Sequence, residues 1–108
     1  MVVNDQLAAV GFLRTVFGAV GDVEPNRPTE VRIGDSLVMV SESGEREVFP
    51  AFLYIYVDDV AATYQRALTA GAVSVEAPLD TPYGDRRAMV RDSFGNVYQI
   101  ASRRETTV

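Results

Sequence analysis

Apolar positions follow two rhythms along this chain, and their order repeats. Ala9, Leu13, Val16 and Phe17 recur at helical spacing. Asn4 or Asp5 stands ready to cap the helix, and Gly18 ends it. Gly11 weakens that helix slightly. The stretch 21–29 holds Gly, Asp, Asn and two Pro and reads as a loop. Val31 and Ile33 alternate with Arg32, Gly34-Asp35-Ser36 turns the chain, and Leu37 to Val40 returns as an apolar strand, so 30–41 predicts a hairpin. A charged tip spans 42–47, and Val48 has room to pair briefly before Pro50. Met1 to Asn4 is too short for a useful strand of its own.

The second half begins with the strongest strand, Ala51 to Val57, rich in aromatic and β-branched residues on both faces. Asp58 or Asp59 caps a second helix carrying Val60, Tyr64, Ala67 and Leu68, with Gly71 at its end. Val73 to Glu76 predicts a short strand, and 78–84, with two prolines, a loop. Ala88, Met89 and Val90 end one apolar run. Asp92, Ser93, Gly95 and Asn96 supply turn chemistry. Val97 to Ala101 then forms a strand with Val97, Gln99 and Ala101 on one face and Tyr98 and Ile100 on the other. A polar Gln99 beside Val and Ala marks either a solvated face or the lining of a ligand cavity. The residues from Arg103 to Val108 read as a loose tail.

The halves correspond. A shift of 53 places Asp5 on Asp58, Ala9 on Ala62 and Gly18 on Gly71; a shift of 57 places Asp35-Ser36 on Asp92-Ser93. Matched caps, helix ends and hairpin turns point to a duplicated βαβββ unit. At 108 residues the chain is one domain of two modules, about 1–48 and 49–104.

Composition narrows the chemistry. A net charge of −5 gives no footprint for nucleic acid or an anionic membrane. All ten basic residues are Arg, which excludes a lysine Schiff base. Cys and His are absent, removing disulfides, thiolate catalysis and the commonest general base and metal ligand. With no signal peptide or membrane-length apolar run, the expectation is a soluble cytoplasmic protein.

Tyr54-Ile-Tyr-Val-Asp-Asp-Val60, a helix ending Ala70-Gly-Ala72, Pro82-Tyr-Gly-Asp-Arg86 and Arg91-Asp-Ser-Phe-Gly-Asn96 together resemble the vicinal oxygen chelate superfamily of glyoxalase I, bleomycin-resistance proteins and extradiol dioxygenases. Phe12-Leu-Arg-Thr-Val-Phe-Gly18 and Val31-Arg-Ile-Gly-Asp-Ser36 are similar to parts of its first module. The resemblance implies an α+β fold of two tandem βαβββ modules forming a cupped, half-barrel sheet around a cavity, usually as a homodimer. In metal-using members each module offers a His, Glu or Gln ligand from its first and last strands. Those positions fall here at Phe52, Gln99 and Met39, with the fourth before Met1. One possible ligand in four is no divalent site, so the resemblance implies a metal-free member without a cofactor. The first strand of module one is truncated. Its exposed edge calls for cover by another chain or by the N-terminal residues, unless the natural start lies upstream.

Candidate ligand-binding residues are Phe52, Tyr54, Tyr56, Met39, Arg87, Arg91, Tyr98 and Gln99. The tyrosines either line an aromatic pocket or cover an outer or dimer surface. Arg87 and Arg91 either meet an anionic ligand or pair with nearby carboxylates such as Asp85 and Asp92. Asp58-Asp59 reads as a cap, and Glu76 is a lesser acid/base candidate. Three readings follow: a small-molecule binder that sequesters an antibiotic or aromatic metabolite, a metal-free lyase or isomerase, or a ligand-free structural or regulatory dimer. Chemistry without His, Cys or Lys is uncommon, which weighs against an enzyme.

Overall fold

The computed structural model describes residues 1–24, 27–44 and 47–103. The chain forms two compact units, Met1–Ala51 and a second from Phe52 onward. The fold class is α+β, built as two tandem modules. No described helix is long and apolar enough to cross a membrane.

The first unit runs β1 (Val2–Val3), α1 (Gln6–Phe17), β2 (Thr29–Ile33) and β3 (Ser36–Glu42). Asp5 caps α1 by accepting from the Ala8 amide at 3.0 Å, and Gly18 closes it at φ 67°. The sheet order is β1-β3-β2. Ala9, Val10, Leu13 and Val16 on α1 are buried, as are Val31 and Val40 on the sheet. Gln6 is buried too, and its amide nitrogen lies 2.8 Å from the Val40 carbonyl and 2.9 Å from both the Thr29 hydroxyl and the Arg27 carbonyl. One polar side chain thus ties the first helical turn to both strands and to the loop before them. β1 spans two residues and covers part of the β3 edge. It pairs in parallel with Ser41 and Glu42 of β3, and Phe49, rather than Val48, bridges back to Val2.

The second unit contains β4 (Phe52–Tyr56), α2 (Val60–Thr69), β5 (Val73–Asp80), β6 (Asp85–Arg91) and β7 (Val97–Arg103), with sheet order β4-β7-β6-β5. Asp59 caps α2 through the Ala62 amide. The two helix caps are therefore 54 residues apart, although Gly18 and Gly71 remain 53 apart; α2 is shorter, at 10 residues against 12. Val60, Tyr64 and Ala67 of α2 are buried, as are Ala88, Val90, Tyr98 and Ile100 of the sheet.

Two expectations need correction. β5 does not stop at Glu76 but continues through Pro78 to Asp80. The register with β6 shifts between Ser74 and Glu76 and again between Glu76 and Leu79. β5 is an edge strand, and bulges there accommodate a proline that a central strand would reject. Secondly, Glu42 and Arg103 close β3 and β7 rather than belonging to a tip and a tail. Residues 45–46 of the expected tip and 104–108 of the expected tail lie outside the described residues.

The modules differ at one strand. Where module two has the eight-residue β5 pairing with β6, module one has, among the described residues, a single antiparallel bridge, Val20 to Arg32. The chain at Gly21 then passes so close to β2 that an added Cβ would stand 2.6 Å from the Glu30 carbonyl oxygen, at a φ of +151°. Gly21→Ala is expected to destabilise the protein by about 2 kcal/mol, measured by urea denaturation; Gly11→Ala, with open space around it, should stabilise by a few tenths to about 1 kcal/mol.

The β6–β7 turn is held by Asp92. Its carboxylate accepts from the Phe94 and Asn96 amides at 2.9 Å, from the Asn96 side chain at 3.2 Å and from the Tyr98 hydroxyl at 2.7 Å. Asp92, Asn96 and Tyr98 are all buried. Asp92→Ala orphans several buried donors and is expected to cost about 3 kcal/mol or more, against about 1 kcal/mol for Tyr98→Phe, in the same denaturation assay.

Candidate functional site

Register fixes which side chains share a face. Tyr54 stands opposite Gln99, and Gln99 opposite Met89. The flanking rows are Phe52, Val97 and Arg91, then Tyr56, Ala101 and Arg87. Cross-strand partners project to the same side, so these residues line one face of the second unit's sheet, while Tyr98, Ile100 and Val90 line the other. α2 packs on that other face: Tyr64 donates to the Ser74 hydroxyl at 2.6 Å, and Ser74 pairs with Val90.

The first face is aromatic and open. Phe52, Tyr54 and Tyr56 are 59%, 44% and 51% exposed. The rings of Tyr54 and Tyr56 lie 5.2 Å apart with a 45° tilt. Gln99, between Tyr54 and Met89, is only 8% exposed. Its carboxamide makes no hydrogen bond among the described residues, and no buried side-chain polar atom there is sealed from solvent without a partner. A nearly buried amide that still opens onto the face therefore has spare donor and acceptor capacity.

Charge on this face is partly committed. Arg87 donates from Nε to Glu76 at 2.7 Å and from a terminal nitrogen to the Tyr83 hydroxyl at 3.0 Å. Its partner is thus Glu76, which the bulged β5 brings alongside, and neither Asp85 nor Asp92. Hydrogen bonds to Glu76 and Tyr83 push the Arg87 pKa further up. Arg91 is exposed and makes no ion pair among the described residues. The Tyr54 hydroxyl donates to Asp85 at 3.4 Å. Desolvation, then the contact with Tyr56 and the charge of Asp85, pushes the Tyr54 pKa up to about 12. Tyr98 lies on the helix side, fully buried, where desolvation and Asp92 also push its pKa up. It therefore shares neither face nor solvent access with the other candidates.

The first unit carries a pocket of about 380 Å³ lined by Val20, Asp22, Glu24, Arg27, Pro28, Glu30, Arg32, Leu37 and Met39. Glu30 pairs with Met39 and Arg32 with Leu37 in the β2–β3 ladder, so these four form one sheet face. Val20, Asp22, Glu24, Arg27 and Pro28 supply a wall. Arg14 on α1 anchors that wall through the Gly21 carbonyl and an ion pair to Asp22 at 3.4 Å. Of the expected residues, Met39 belongs to this pocket and the remaining seven to the second unit. The sequence reading missed Glu30, Arg32 and the wall, because the bridge that brings Val20 beside Arg32 is a single residue pair.

The donor set does not fit a divalent metal. Of Phe52, Met39 and Gln99, only Gln99 offers oxygen, and the described residues hold no group of three or more His, Cys, Asp or Glu able to bind an ion.

A helix-backed sheet with an open face, occurring in two tandem modules, defines a small α+β protein of duplicated βα architecture. The chain belongs to the glyoxalase/bleomycin resistance protein/dioxygenase superfamily, whose profile matches residues 1–100. An uncharacterised protein of Mycobacterium bovis is 31% identical over 118 aligned positions, covering 93% of this chain and 78% of that one. The crystal structure of TioX from Micromonospora sp. ML1 matches with a TM-score of 0.79 at 26% identity, covering 95% of this chain and 94% of that one. A lactoylglutathione lyase from Agrobacterium tumefaciens shares the fold, with a TM-score of 0.74 at 18% identity over 94% of this chain and 88% of that one.

The tyrosine environments set an alkaline limit. Tyr54 and Tyr98 hold their protons more tightly folded than unfolded, where the value is near 10. Their contribution to stability is complete below pH 10 and is lost as pH rises through the folded values. Urea midpoints should fall between pH 10 and about 12, and less steeply in Tyr54→Phe and Tyr98→Phe.

Proposed function

We propose that this chain is a metal-independent small-molecule-binding member of its superfamily, one that sequesters an aromatic or amphipathic ligand without transforming it. The observation that carries this reading is Gln99. A side chain 8% exposed, with unused hydrogen-bonding groups, sits between Tyr54 and Met89 on a face flanked by Phe52 and Tyr56. The amide opens onto solvent, so a ligand that replaces its water contacts with fixed hydrogen bonds while covering the rings gains orientation from the first and apolar burial from the second. Stacking on Tyr54 and Tyr56 supplies apolar contact, and Arg91, without an ion pair among the described residues, supplies a cation at the margin.

A metal-free lyase or isomerase of the same superfamily is the competing reading. It needs a group that exchanges protons near neutral pH. Tyr54, with its pKa near 12, remains protonated there and acts as a hydrogen-bond donor rather than a base. Glu76 is engaged by Arg87. Both observations favour the binder.

A thermal-shift screen with aromatic and amphipathic metabolites and antibiotics tests the proposal. A ligand at a hundred times its dissociation constant adds about 2.7 kcal/mol. The stabilisation should survive EDTA and be lost in Gln99→Leu, whose unliganded melting temperature should be unchanged or higher. If no compound stabilises the wild-type protein, or if stabilisation requires an added metal, the reading fails.

A further inference from the structure

The pocket in the first unit holds two charges with no assigned task. Among the described residues, Arg27 is paired with Glu24 at 2.9 Å and Asp22 with Arg14 at 3.4 Å. Glu30 and Arg32 line the same pocket and make no ion pair, with each other or with any other described residue. They sit two residues apart on β2 and so project to one side, their Cα atoms about 7 Å apart. Apolar side chains flank both. Val20 bridges to Arg32 on one side, and Leu37 and Met39 face Arg32 and Glu30 on the other. Val20, Leu37 and Met39 are all largely exposed.

An anion and a cation carried at this strand spacing, between apolar neighbours in a pocket of about 380 Å³, are complementary to a molecule with both charges on an apolar body. An extended dipeptide spans about 7 Å, which sets its terminal ammonium and carboxylate one strand-repeat apart. The guanidinium of Arg32 offers a planar fork to the carboxylate. The carboxylate of Glu30 accepts from the ammonium, and the apolar peptide side chains cover Val20, Leu37 and Met39. We infer that the first module binds a dipeptide-like zwitterion with apolar side chains, oriented by Glu30 at its amine and Arg32 at its carboxylate. The inference builds on the binding reading above and names the ligand chemistry for this pocket.

The test is an NMR titration of the full chain with leucyl-phenylalanine, its N-acetyl derivative, its C-terminal amide and free leucine. The free dipeptide should shift the resonances of Val20, Leu37 and Met39 and bind at least about tenfold more tightly than either blocked form or leucine, the size of one lost charge-assisted hydrogen bond. Arg32→Gln should erase the preference over the amide, and Glu30→Gln the preference over the N-acetyl form. Each substitution should leave the other preference in place, and both variants should keep the wild-type amide spectrum elsewhere. Equal binding of all four compounds, or no shift at the three apolar residues, overturns the inference and makes Glu30 and Arg32 solvated surface charges. Such a result leaves the broader reading standing if the thermal-shift screen has found any ligand; only a failure of both removes the two together.

Discussion

The carboxylate of Asp92 is the constraint on which the second module depends. Two backbone amides, one side-chain amide and one phenol converge on it. That convergence sets the length of the β6–β7 turn, and a hairpin's turn sets its register. Because side chains alternate along a strand, a slip of one residue would send Gln99 to the helix side and Tyr98 to the open face. The Tyr98 hydroxyl bond to Asp92 ties the first inward residue of β7 directly to the turn. The position of Gln99 between Tyr54 and Met89 is therefore set by a buried hydrogen-bond cluster a few residues away.

In the first module Gln6 has the corresponding role by different means. The β2–β3 turn at Gly34 and Asp35 is exposed and has no buried carboxylate. The link runs from the helix instead, where the Gln6 amide reaches β2, β3 and the loop before β2. Both devices satisfy polar groups inside an apolar setting, where an unmet donor is costly. They differ in what they hold: one fixes a hairpin register, the other fixes a loop over a sheet.

Much of the architecture was legible from local chemistry. Asp5 and Gly18 bracket α1 because each satisfies backbone groups that a helix end leaves open; local chemistry narrowed the caps to Asn4 or Asp5 and to Asp58 or Asp59, of which Asp5 and Asp59 serve. The alternation in Phe52–Tyr56 and Val97–Ala101 gave the faces of β4 and β7 correctly. What escaped was non-local. Pro78 reads as a loop residue until the strand is known to lie at an edge. The Glu76 partnership with Arg87 depends on two register shifts that leave no mark in hydropathy. Alternation set Tyr98 on the face opposite Gln99, but that this face is the helix-packed one, and that the Tyr98 hydroxyl ends on the buried Asp92, is not written in local sequence. Gln6 occupies the first turn of an amphipathic helix, where a polar residue is ordinarily solvated.

The contrast between the two modules after their helices bears on how the pocket is shaped. In module one the described residues between Val20 and Pro28 make a single ladder bridge, and they supply five of the nine pocket-lining residues. Insertions or deletions there would reshape the cavity while leaving Leu13, Val31 and Val40 undisturbed. Module two presents a face backed by a continuous ladder, whereas the pocket of module one takes its shape from backbone pinned at a few points, by Arg14, Gln6 and the Val20–Arg32 bridge.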